Sequence, residues 1–155
     1  MLTMRISAII CTYNGQKHIQ RTLRSLTQQS LPSSDYEIIV VNNHSTDTTE
    51  KIVQQFIVEH PAWNISHHLE HMKGLSFARN KGIAVANAPI IVYIDDDAEA
   101  NATFLEAHLN VYAHYPDAVA AGGKSYSRIF LWRSPEVVDP LCGWRVFVAQ
   151  LRRTT

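Results

Sequence analysis

A chain of 155 residues, 46% of them apolar and 18% charged, supports one domain with an ordinary buried core. Its 14 Lys and Arg balance 14 Asp and Glu, so no general electrostatic pull toward anionic polymers or lipids exists. Nucleic acid therefore falls outside the expected partners, and any phosphate recognition has to be local. Cys11 and Cys142 stand alone, in no CxxC pattern, which argues against a zinc site and a disulfide framework and suits a reducing cytoplasm. The opening MLTMRISAIIC is too short an apolar run for a signal peptide, and no later run reaches membrane-spanning length.

In chain order, Arg5 to Cys11 and Tyr36 to Val41 are short β-branched runs of the kind buried on both faces of a sheet. Between them Ile19, Leu23 and Leu26 recur at helical spacing. Ser45 or Thr46 is a candidate N-cap for a second helix, whose apolar stripe is Ile52, Val53, Phe56 and Ile57. Trp63 to Leu69 reads as a third strand, Leu75 to Ala88 as an Ala-rich helix, and Pro89 to Asp95 as a fourth strand. Phe104 to His114 reads as a helix, followed by a short strand at Ala118 to Ala121. Alternation of strand and helix predicts an α/β fold with a mostly parallel, Rossmann-like sheet and helices on both faces, since parallel neighbours need crossovers.

The fourth strand, PIIVYIDDDAEA, ends in Asp95, Asp96 and Asp97. Adjacent carboxylates repel, so they call for solvation, a raised pKa, a cationic partner or a metal. A solvated acidic turn is the plain alternative. Parallel sheets bind ligands beyond the carboxyl ends of their strands, and three chemically marked loops fall there. These are Thr12-Tyr13-Asn14-Gly15, Asn42-Asn43-His44-Ser45 and the acid triplet.

ISAIICTYNG, EIIVVNNHSTDTT and GLSFARNKGIAVANAPIIVYIDDDAEA, in that order, resemble the nucleotide-binding half of the family-2 glycosyltransferases, which have a GT-A fold. The resemblance runs from Arg5 to Pro140. It implies a nucleotide-diphosphate sugar as donor and a glycan or lipid-linked glycan as acceptor, in polysaccharide or glycoconjugate synthesis. The family's Asp-x-Asp motif falls on Asp95 and Asp97 with Asp96 between. The motif implies Mn2+ or Mg2+ held by Asp95 and Asp97, with Asp95 and Asp96 toward the nucleotide. Thr12, Tyr13 and Asn14 would lie along the base and ribose, and Arg79 would reach the nucleotide.

Two features depart from the family. Asn42-Asn43 stands where an acid is usual after the second strand, so Asn42 is expected at the base, with a turn-forming role for both residues as the alternative. No Glu-Asp pair follows to supply a catalytic base, and Glu136 and Asp139 stand apart among prolines. The chain thus reads as truncated: residues 1–123 a nucleotide-sugar-binding domain, 124–155 the incomplete start of an acceptor side. It is expected to bind nucleotide without transferring sugar, and to self-associate through exposed apolar surface. The rival readings are a stand-alone nucleotide-binding domain and a metal-dependent nucleotidyltransferase; the latter would want a Gly-rich Lys/Arg loop near the N-terminus.

Three other signals carry less. GGKS at Gly122 to Ser125 lacks the earlier glycine of a P-loop. His67, His68 and His71 lack helical metal-site spacing and read as solvated. WRVFVAQLRR admits an amphipathic membrane-surface helix, so a peripheral place at the inner membrane face accompanies the cytoplasmic reading.

Overall fold

The computed structural model describes residues 4–123 and 146–150. The elements in chain order are β1 (Ile6–Thr12), α1 (Ile19–Thr27), β2 (Tyr36–Asn42), α2 (Thr49–Glu59) and β3 (Ile65–Leu69). They continue with α3 (Leu75–Val85), β4 (Ile90–Asp95), α4 (Phe104–His114), β5 (Ala120–Gly123) and β6 (Val146–Gln150). The strands form one sheet in the order β3-β2-β1-β4-β6-β5. The first four in that order are parallel, as expected, and β6 runs antiparallel to both β4 and β5.

The lack of apolar–polar alternation in β1 and β2 follows from cover on both faces. On one face Ile6, Ala8, Ile10, Ile38 and Val40 pack against Leu23 and Leu26 of α1, Phe56 of α2 and Leu105 of α4. On the other, Ile9, Ile39 and Ile91 meet Ala78 and Ile83 of α3. A Cβ at Gly82 would lie 2.6 Å from Ile9 Cγ2, so glycine lets α3 sit directly on β1.

Beyond one-residue shifts at β1, β2 and β4, the boundaries of β3, α3, α2 and β5 differ from expectation, the first three for long-range reasons. β3 starts at Ile65 because Trp63 belongs to the preceding turn, its backbone N–H on the His60 carbonyl and its indole N–H on the Tyr36 hydroxyl at 3.1 Å. α3 stops at Val85, and the chain is then pulled back to the sheet by buried Glu37, which accepts the Asn87 N–H at 2.7 Å and its side-chain amide at 3.0 Å. α2 begins only at Thr49, since Ser45 and Thr46 are engaged elsewhere (below). β5 is shifted to Ala120–Gly123.

The WRVFVAQLRR segment is not helical where it is described: Val146–Gln150 is a strand pairing with Ile90 to Val92 of β4. Its Val-Phe-Val core has the β-branched and aromatic character of a strand. This strand comes from the 124–155 range yet joins the sheet of the 1–123 range. Lys124, Ser125, Glu136, Asp139 and Cys142 lie outside the described residues. Among the described residues no helix is long and apolar enough to cross a membrane.

Candidate functional site

The parallel register brings the strand ends level: Thr12 pairs with Asn42, Cys11 with Asp95, and Asn42 with Leu69. The loops leaving these ends are tied to one another by hydrogen bonds. The Asn43 N–H donates to the Thr12 carbonyl at 2.8 Å. Asn14, at φ 56°, donates its N–H to Ser45 Oγ at 2.9 Å and accepts the Thr46 N–H on Oδ1 at 2.8 Å. Asn is among the few non-glycine residues that tolerate that backbone region. Two residues on, Gln16 Oε1 accepts the Thr48 hydroxyl at 2.8 Å. Ser45 and Thr46 are therefore bridges between loops, which is why neither caps α2.

Both asparagines after β2 form turns. Asn42, 1% exposed, accepts the Ser45 N–H on Oδ1 at 2.9 Å. Asn43 recruits a fourth loop that the sequence left unmarked, accepting the Gly74 N–H at 2.8 Å and donating to the Met72 carbonyl at 2.7 Å. That loop brings Lys73 over the ring of Tyr13, 5.6 Å from its centroid. Tyr13 is 53% exposed, presenting an aromatic face at the mouth.

The acid triplet is not uniform. Asp95 and Asp97 are exposed, whereas Asp96 is partly buried and accepts the Thr12 hydroxyl at 2.5 Å. Its backbone carbonyl accepts the Thr22 hydroxyl of α1 at 2.8 Å. Burial raises the Asp96 pKa; the Thr12 hydrogen bond works against this, and the charges of Asp97 and Asp95 add to it. A Cβ at Gly15 would land on Thr12 Oγ1 and lie 2.5 Å from Asp96 Oδ2, so only glycine fits beside this bond. Gly15 had no role assigned from sequence; its place directly after the Thr-Tyr-Asn loop was the signal available.

α1 steadies the rest of the acid loop. Ser25 Oγ accepts the Ala100 N–H at 2.9 Å, and Gln29 donates to the Asn101 carbonyl at 2.8 Å while accepting the Leu105 N–H at 3.0 Å. Neither Ser25 nor Gln29 is legible as a site residue from its spacing.

Arg79 of α3 lies over the Tyr93 ring, 5.3 Å from its centroid. Burial pushes the Cys11 thiol up to about 11, with Arg79 pulling it down and Asp95 and Asp96 pushing it further up. Burial likewise takes Tyr93 to about 12, Cys11 adding and Arg79 opposing. The raised value keeps the Cys11 thiol protonated near neutral pH, and the charges of Arg79 and Asp95 both act on it.

Among the described residues no group of three or more His, Cys, Asp or Glu could hold a metal by itself. A hard cation bridged to substrate phosphates needs only one or two carboxylates. Asp95 and Asp97, both exposed at one strand end, fit that shared mode and not a protein-only cage. The histidines are less solvated than expected: His67 and His68 lie within β3, partly buried, and burial lowers the pKa of each. His71 is exposed as expected.

Comparison with known proteins agrees with this arrangement. The family model for Glycosyl transferase family 2 matches residues 7–145. Glycosyltransferase AglE of Haloferax volcanii is 35% identical over 101 residues, 65% of this chain and 33% of AglE. The poly(ribitol-phosphate) beta-N-acetylglucosaminyltransferase TarS of Staphylococcus aureus is 29% identical over 117 residues, 75% of this chain and 20% of TarS. The chain thus spans a third or less of the length of these two relatives. The crystal structure of S. aureus TarS 1-349 in complex with UDP superposes with a TM-score of 0.73 at 24% identity, covering 85% of this chain and 38% of that one. The mannosyltransferase PcManGT from Pyrobaculum calidifontis, in complex with GDP-Man and Mn2+, gives 0.69 at 26% identity, covering 81% and 36%. The fold is GT-A, and the chain belongs to glycosyl transferase family 2.

Proposed function

We propose that this chain supplies the donor-binding part of a glycosyltransferase that moves a sugar from a nucleotide-diphosphate sugar to an acceptor hydroxyl. The observation that carries the reading is that four strand-end loops are hydrogen-bonded together and carry two exposed carboxylates and an exposed aromatic ring. Tyr13 offers its face to the base and ribose, with Thr12 and Asn14 fixing its loop. Asn42 shapes the base end through its hold on Ser45. Arg79 contributes positive charge toward the nucleotide from the α3 side. Asp95 and Asp97 hold Mn2+ or Mg2+ together with the diphosphate. When bound, such a cation supplies Lewis-acid neutralisation of the charge that grows on the leaving diphosphate. The protein's own part is to orient the donor and to present its anomeric carbon, since positioning accounts for much of such catalysis.

Residues 124–155 are assigned to the start of the acceptor side, and the acceptor to a glycan or lipid-linked glycan. A reducing compartment such as the cytoplasm suits the free Cys11 thiol. The test is calorimetry of the 155-residue chain against UDP, GDP, TDP and CDP with and without Mn2+, beside a radiolabelled-sugar transfer assay. Cation-dependent binding of at least one nucleotide is expected. Failure to bind any of them would remove the donor-site assignment. Pyrophosphate release from a nucleoside triphosphate would replace it with nucleotidyl transfer.

A further inference from the structure

The middle acid of the triplet is partly buried, whereas its neighbours Asp95 and Asp97 are exposed. Its carboxylate is taken by the Thr12 hydroxyl and its carbonyl by the Thr22 hydroxyl. Thr12 is itself only 2% exposed and Asp96 is partly buried, so this bond is partly shielded from solvent. Gly15 packs against both partners with no room for a side chain. Backbone pairing of β1 with β4 ends at Cys11 and Asp95. Just past that point, the Thr12–Asp96 contact joins the loop that carries Tyr13 and Asn14 to the loop that carries Asp97.

We propose that Asp96 is a positioning residue: by accepting the Thr12 hydroxyl it locks the Tyr13 loop to the acid loop, and it contacts neither nucleotide nor cation. This replaces the nucleotide contact that the family resemblance implies for Asp96, and it rests on the donor-site reading for its functional consequence. The lock separates two tasks among three adjacent carboxylates. Asp95 and Asp97 stay free for the ligand, and Asp96 sets the distance between them and Tyr13.

The substitutions that test it are Asp96→Asn, Asp96→Ala, Thr12→Val and Thr12→Ser in the whole chain, because an amide oxygen still accepts a hydroxyl hydrogen bond but is a poor substitute for a carboxylate on a cation. Amide hydrogen exchange without ligand should show Asp96→Ala and Thr12→Val loosening residues 12–16 and 96–100 together, while Asp96→Asn and Thr12→Ser leave both protected. Calorimetry with UDP and GDP in Mn2+ should show affinity at least about fivefold weaker for the first pair and close to the parent for the second, as expected for loss of a buried hydrogen bond. If Asp96→Asn loses as much affinity as Asp96→Ala, Asp96 is a ligand and the lock is overturned. Unchanged exchange in Asp96→Ala overturns it equally. Should the parent bind neither nucleotide, the donor reading fails, and the exchange pattern still decides whether the lock exists.

Discussion

Three adjacent aspartates occupy two different situations, and the difference is set by their neighbours. Asp95 and Asp97 are exposed, so their removal costs the fold little; surface substitutions away from special features usually change stability by less than about 0.5 kcal/mol. Asp97→Ala is therefore expected to leave the circular dichroism spectrum and melting temperature close to the parent. It should abolish the Mn2+-dependent part of nucleotide binding in calorimetry, and Asp95→Ala should behave alike. Retention of cation-dependent binding in both would take the metal away from this motif. The order Asp-Asp-Asp is plain in the sequence, but the inward turn of Asp96 is not. It depends on Thr12, 84 positions earlier, and on a glycine small enough to let the two meet.

At the scale of elements, two contacts decide how the site is held. Gly82 lets α3 lie on β1, and α3 carries Arg79. Gly82→Ala places a methyl against Ile9, which is fully buried and has nowhere to go; overpacking of this kind costs about 1–3 kcal/mol. Urea unfolding should show that loss. The double variant Gly82→Ala with Ile9→Ala should lose less than the two singles added, because the residues are in contact. A second test concerns α4, where His108 is 5% exposed and its Nδ1 lies 2.7 Å from the Phe104 carbonyl oxygen. Burial depresses its pKa below the ordinary 6.5, the Phe104 bond opposing, so the folded chain keeps the ring neutral where the unfolded chain takes up a proton. Its contribution to stability is intact above 6.5 and is lost as pH falls below that value toward the folded pKa. Melting temperature should drop on going from about pH 7.5 to about pH 5.5, with a shallower drop in His108→Leu. An identical slope in the variant would assign the pH dependence elsewhere, with His67 the next residue to change.

The loops that follow β1, β2, β3 and β4 are joined to one another by hydrogen bonds, so a ligand bound there as proposed would touch several of them at once. Binding there should stabilise the domain as a unit. At a ligand concentration about 100-fold above Kd the gain is about 2.7 kcal/mol. For a chain of this size that raises the melting temperature by roughly 5–10 °C. A thermal-shift series with the bound nucleotide should follow the logarithm of its concentration, and only with Mn2+ present. A shift that saturates below about 1 °C would point to a ligand that engages one loop alone.

Much of this was readable before any coordinates. Short β-branched runs alternating with helical stripes are local signals, and they determined strands β1 to β4, the four described helices and the parallel arrangement that puts Thr12, Asn42 and Asp95 at one edge. The Asp-Asp-Asp cluster at a strand end, together with the Thr-Tyr-Asn loop, determined the chemistry to look for. Tertiary structure alone decided the rest, because each remaining feature depends on partners distant in sequence. Strand β6 finds its edge on β4 between residues 56 to 60 positions apart, beyond the reach of a periodic pattern. His67 and His68 are partly buried in β3, which lies beside β2. Asn42 and Asn43 became loop anchors because Ser45, Met72 and Gly74 converge on them. Sequence periodicity reports which side of an element is covered; it carries no information on which side chain across the sheet accepts a given hydrogen bond, and that choice separates Asp96 from Asp95 and Asp97.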